Sequence, residues 1–155
     1  MSASEFLPAA SYFAVKGAAY CGWCGVGVNR FRPASTRRVG LALGLGALRL
    51  VMGFVFGVGI FFASAFAVAG LDESGVGVTA AMVLAYLGVY VPVRWVEWAL
   101  IEAILHTPAR SLAGFTRGGD RASRTWRLGG IAISCLADVP LMLAAGGLPV
   151  GRFMC

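Results

Sequence analysis

Charge is scarce in this chain. Acidic and basic residues make up 13% of its 155 positions, against roughly 25% in an ordinary soluble domain. Lysine is nearly absent: of thirteen basic residues only Lys16 is not arginine. A single histidine, His106, excludes a bis-histidine haem held by one chain. No phosphate-binding loop, substrate-recognition motif, internal repeat or low-complexity tract occurs, so no residue pattern names a reaction. The net charge of +6 does not point to nucleic acid, because its arginines fall in loops between apolar runs.

What the chain has in abundance is apolar surface, at 59% of residues. Val39 to Gly70 carries one formal charge, Arg49, and Val76 to Leu105 is interrupted only by Arg94, Glu97 and Glu102. About twenty apolar residues in a row are enough to span a bilayer. The expected fold is an all-α integral membrane protein, a four-transmembrane-helix bundle with short loops. One polytopic membrane domain would cover residues 1–155, with helices at 6–28, 39–70, 76–106 and 128–148. Helix one is the weakest span, since it holds Lys16 and several glycines; a re-entrant or interfacial segment is its alternative. A cleaved signal peptide is not expected, because Glu5 stands where a basic n-region would.

Arginine placement sets the expected topology. Arg30, Arg32, Arg37 and Arg38 lie in one interhelical segment, and Arg110, Arg117, Arg121, Arg124 and Arg127 in another. The segment between them carries Asp72 and Glu73 and no base. Such alternation follows the positive-inside rule. It puts both arginine-rich loops in the cytoplasm, against anionic lipid, and both termini outside. The arginine, glycine and alanine bias points to a bacterial source, hence a multi-pass protein of the cytoplasmic (inner) membrane.

The few charges within the runs share a depth. Counted from the cytoplasmic helix ends at about 1.5 Å per residue, Lys16, Arg49, Arg94, Glu97 and Asp138 fall near mid-membrane. An ionisable group there is costly and is expected to have a partner. Arg49 is expected to meet Asp138, or otherwise Glu97. Gly46, Gly53 and Gly57 share the side of helix two that holds Arg49, forming a seam for close helix approach. On helix three, Tyr86, Tyr90, Arg94 and Glu97 form one stripe. Trp95, Trp98, Glu102 and His106 form another, with Glu102 and His106 one turn apart. Pro92 and Pro140 are expected to bend their helices beside these charges.

The cysteine chemistry is thin. Cys21 and Cys24 have C-x-x-C spacing but lack a thioredoxin-like βαβ context. With Cys135 and His106 they make a conceivable metal set, but buried helical cysteines usually behave as small apolar residues. No cofactor is expected beyond bound lipid; haem, pigment and metal are minor alternatives. The expected function is a small accessory or scaffolding subunit of a larger membrane complex (respiratory, photosynthetic or transport), with no enzymatic activity expected of it. Its docking surfaces would be the glycine seam and the tryptophan face of helix three, with other membrane subunits as partners. Two alternatives remain open: a small transporter or proton/ion channel using the buried charges, and a membrane thiol-redox or metal-binding protein.

Overall fold

The computed structural model describes residues 3–106 and 118–144. Among these residues it is all-helical, with four helices and no strand. Helix α1 is Ala3–Phe31, α2 is Arg38–Glu73, α3 is Val78–Leu105 and α4 is Arg121–Ala144. The expected end of helix four at 148 and the loop residues Arg110 and Arg117 lie outside the described residues. Helix α1 packs on α2 and α4, and α3 packs on the same two helices. Two helices, α2 and α3, are long and apolar enough to cross a membrane.

The helix ends follow from local chemistry. No proline interrupts Arg38–Glu73, so α2 runs for 36 residues, about 54 Å at 1.5 Å per residue. It stops where Gly75 takes φ 84°, a left-handed conformation that glycine adopts without strain. The Gly75 N–H donates to Asp72 O at 2.9 Å and the Val76 N–H to Leu71 O at 3.1 Å, which closes the end. Helix α1 runs on to Phe31, three residues past its expected end. Asn29 and Arg30 are polar and exposed but are compatible with helix.

Helix α4 departs most from expectation, starting at Arg121 rather than at 128. Gly118 and Gly119, with φ 79° and 53°, turn the chain, and Asp120 then caps the helix. Its Oδ1 accepts the Ser123 N–H at 2.8 Å, as an N-cap acid does. Three arginines assigned to a loop are thereby helical. Helix α4 also continues through Pro140. In α3 the distortion lies before Pro92, as a π turn over Tyr86–Tyr90.

Burial is arranged inside out. The buried side of α2 reads Ala42, Leu45, Gly46, Arg49, Gly53, Gly57, Ile60 and Ser64, a stripe at three- and four-residue intervals. Its other sides expose Val51, Phe54, Val55, Val58, Phe61, Phe62 and Phe66. An apolar core joins Tyr20, Cys24 and Val28 of α1, Ala42 and Leu45 of α2, Trp98, Ile101 and Leu105 of α3, and Trp126 and Ile131 of α4. Lys16, Arg49, Arg94, Glu97, Glu102, Arg127 and Asp138 are all buried as well.

The Arg30–Arg38 connection meets the C-terminal end of α3. Arg32 donates from Nε to Leu105 O and from Nη2 to Ile104 O, both at 2.8 Å. Those carbonyls are among the last four of the helix, which have no partner within it. One arginine read as a loop charge is therefore a cap.

Candidate functional site: a buried ionic network

Each helix brings a polar stripe to the interior. On α1, Tyr12, Lys16, Tyr20, Cys24 and Val28 are buried at strict four-residue spacing. Helix α2 brings Arg49, α3 brings Tyr90, Arg94, Glu97 and Glu102, and α4 brings Arg127, Ser134 and Asp138. The Gly46 seam lets α1 and α2 approach: a β-carbon at Gly46 would lie 2.8 Å from the Cys21 Cα. Gly130 does the same for α3, since a β-carbon there would lie 2.5 Å from the Trp98 ring.

The first cluster is centred on Asp138. Lys16 Nζ lies 2.5 Å from Asp138 Oδ1. The Tyr12 hydroxyl donates to the same oxygen at 2.7 Å, and Lys16 donates to the Tyr12 oxygen at 2.5 Å. Asp138 Oδ2 accepts the Tyr90 hydroxyl at 2.5 Å. The carboxylate thus faces one cation and two hydroxyl donors.

The second cluster is centred on Glu97. Arg49 Nη2 lies 2.7 Å from Glu97 Oε2. Arg94 Nη1 reaches the same oxygen at 2.7 Å and Oε1 at 3.0 Å. Arg49 therefore pairs with Glu97, the second of the two expected acids, and not with Asp138; Asp138 belongs to Lys16. Aromatic faces line both guanidiniums. The Arg49 Cζ sits 4.8 Å from the Tyr20 ring centre and 5.2 Å from that of Trp98, and the Arg94 Cζ sits 4.6 Å from that of Tyr90. Tyr90 consequently joins the two clusters, its hydroxyl on Asp138 and its ring under Arg94.

A third cluster lies one turn nearer the α3 terminus. Glu102 Oε2 accepts Arg127 Nε at 2.5 Å, and Glu102 Oε1 lies 3.3 Å from His106 Nε2. The His106 ring packs 4.5 Å from that of Phe31. Arg127 is the residue that sequence reasoning missed most clearly. Tyr12, Tyr20 and Ser134, which accepts the Trp98 N–H at 3.3 Å, were also missed. The four-residue spacing of Tyr12, Lys16 and Tyr20 was the available signal for the α1 face.

Two expected docking surfaces turn inward instead. Gly46 is covered by α1, Gly53 and Gly57 are buried, and Trp98 is fully buried with Trp95 half-buried. Tyr86 stacks on Tyr90 at 4.5 Å and donates to Cys135 Sγ at 3.3 Å. The conceivable metal set is not brought together: Cys135 lies by Tyr86, Cys24 sits in the apolar core, Cys21 lies against Gly46 and His106 lies by Glu102. Among the described residues, no three His, Cys, Asp or Glu side chains gather in a metal-binding group. Cys21, Cys24 and Cys135 are free thiols.

The arrangement can hold helices in one rotational setting, since each ion pair joins different helices or adjacent turns. It can also polarise a path of acidic and hydroxylic groups from Tyr12 to Arg49. No protein-family model, curated protein or solved structure matches the chain.

Proposed function

We propose that this chain is a four-span protein of a bacterial cytoplasmic membrane that serves as a structural subunit of a larger membrane assembly. The observation that carries it is the inverted burial. Among the described residues seven charged side chains are consumed inside, while the outside of α2 from Val51 to Phe66 offers large apolar residues, Phe66 being 78% exposed. Water would penalise such a surface by about 25 cal/mol per Å² of apolar area. Lipid or another apolar helix would not. The glycine seam and Trp98, closed within the chain, leave α2's outer side and its length as the docking element. The arginines at Arg30 and Arg37, exposed at the connection between α1 and α2, would face the cytoplasm and anionic lipid.

Purification in mild detergent tests the assignment. A structural subunit co-purifies with other membrane proteins in fixed ratio, and substituting Phe61 and Phe62 with alanine releases them without unfolding the chain. A monodisperse protein without partners in gentle extraction would count against it. Reporters active only in the cytoplasm, fused to each terminus, test the span count: both ends should be silent.

A second reading is favoured by the continuity of the network. Lys16, Asp138, Tyr90, Arg94, Glu97 and Arg49 link four helices through groups that carry charge or protons, beside a π turn of the kind often found at functional sites. This is the pattern of an ion or proton path, and reconstituted vesicles with a pH- or potential-sensitive dye would reveal flux.

A further inference from the structure

We propose that the Arg49–Glu97–Arg94 triad binds one small monovalent anion, of the halide kind, as its second counter-charge. The inference rests on the buried cluster and not on the existence of partner subunits.

The charges inside do not balance locally. Asp138 is matched by Lys16 and Glu102 by Arg127, but Glu97 alone faces two guanidiniums. All three members of the triad are fully buried. An arginine does not shed its proton in a protein, so the excess positive charge cannot be titrated away. The aromatic faces of Tyr20, Trp98 and Tyr90 ease it but bring no net negative charge. Hydrogen bonding is equally incomplete. Arg49 Nε and Nη1, and Arg94 Nε and Nη2, are buried and have no hydrogen-bond partner among the described residues.

The chain has no further acid to offer. Of its seven, Asp120 caps α4 and Asp72 and Glu73 are exposed at the far end of α2. Glu5 lies about three helical turns before Lys16. An acidic side chain of a partner would have to penetrate the bundle to reach a fully buried pair. A small ion does not, and a single excess charge selects a monovalent one.

Equilibrium dialysis of the detergent-purified chain against radiolabelled chloride, with gluconate holding the ionic strength constant, tests this. The expected result is saturable uptake of about one chloride per chain, accompanied by a saturable rise in the thermal midpoint. Arg94→Met leaves a neutral Arg49–Glu97 pair and should abolish both, while Arg37→Gln, on the surface, should leave both intact. If Arg94→Met cannot be purified, Arg49→Met makes the same neutral pair with Arg94. Absence of saturable uptake by the unaltered chain overturns the proposal. So does uptake unchanged in the triad variant, or lost equally in Arg37→Gln, which would place the ion on surface arginines.

Discussion

The Asp138 and Glu97 clusters are neighbours joined by Tyr90, yet they solve the same problem in opposite ways. At Asp138 one carboxylate meets one cation and two hydroxyls, so acceptors are shared among mostly neutral donors. At Glu97 one carboxylate meets two guanidiniums, so the donors outnumber what it can accept. The first cluster is balanced and tolerates loss of a hydroxyl. The second depends on a single carboxylate. Burying an ion pair adds little net stability, but stranding one member is severe, and the two clusters differ in how many charges a single substitution strands.

Breaking the comparison at its weakest point gives the largest effect. Glu97→Gln leaves Arg49 and Arg94 together without a carboxylate, and should cost more than the about 3–5 kcal/mol of one stranded charge. Size-exclusion profiles of a fluorescent fusion should show little folded protein. A near-normal profile would mean that Glu97 does not hold the arginines. Asp138→Asn comes next, since it strands only Lys16 while keeping an acceptor for the hydroxyls; a loss of about 3–5 kcal/mol is expected. Lys16→Met added to Asp138→Leu should recover part of the thermal midpoint lost by Asp138→Leu alone.

Smaller effects sharpen the distinction. In double-mutant cycles read by thermal midpoint, Arg49→Met and Glu97→Leu should couple by about 0.5–3 kcal/mol. Arg49→Met and Asp138→Leu should add independently, and the reverse pattern would restore the Arg49–Asp138 pairing first expected from the sequence. The smallest change belongs to Arg94→Met. It removes the surplus cation and leaves a neutral pair, so stability should be unchanged or raised. A loss as large as that of Glu97→Gln would show that Arg94 is held by more than this carboxylate.

Sequence periodicity revealed the helices and the polar layer because both depend on spacing along one chain. It could not pair Arg49, because residue counting gives Glu97 and Asp138 the same expected depth and the choice depends on how each helix is rotated about its axis. Lys16, lying against Asp138, decides it. Arg127 was hidden for another reason: arginines beside apolar runs read as loop charges, and only the cap made by Asp120 carries α4 back far enough to bury one. Arg32 shows the same ambiguity, as a loop arginine spent on the carbonyls of Ile104 and Leu105. Tyr12 and Tyr20 look like ordinary bulk in an apolar helix until the four-residue spacing with Lys16 is noticed.

The π turn at Tyr86–Tyr90 acts as a phase setting for α3. It inserts one residue relative to an α-helical turn, which advances everything after it by about 100° around the helix axis. Arg94, Glu97, Trp98 and Glu102 all lie downstream and owe their inward direction to that offset. Upstream, Ala81 and Ala85 face the bundle on their own register. Helix α3 is in effect two differently indexed rods, a smooth one that lies along α2 and a charged one that serves the interior, with Tyr90 at the joint keeping them in step.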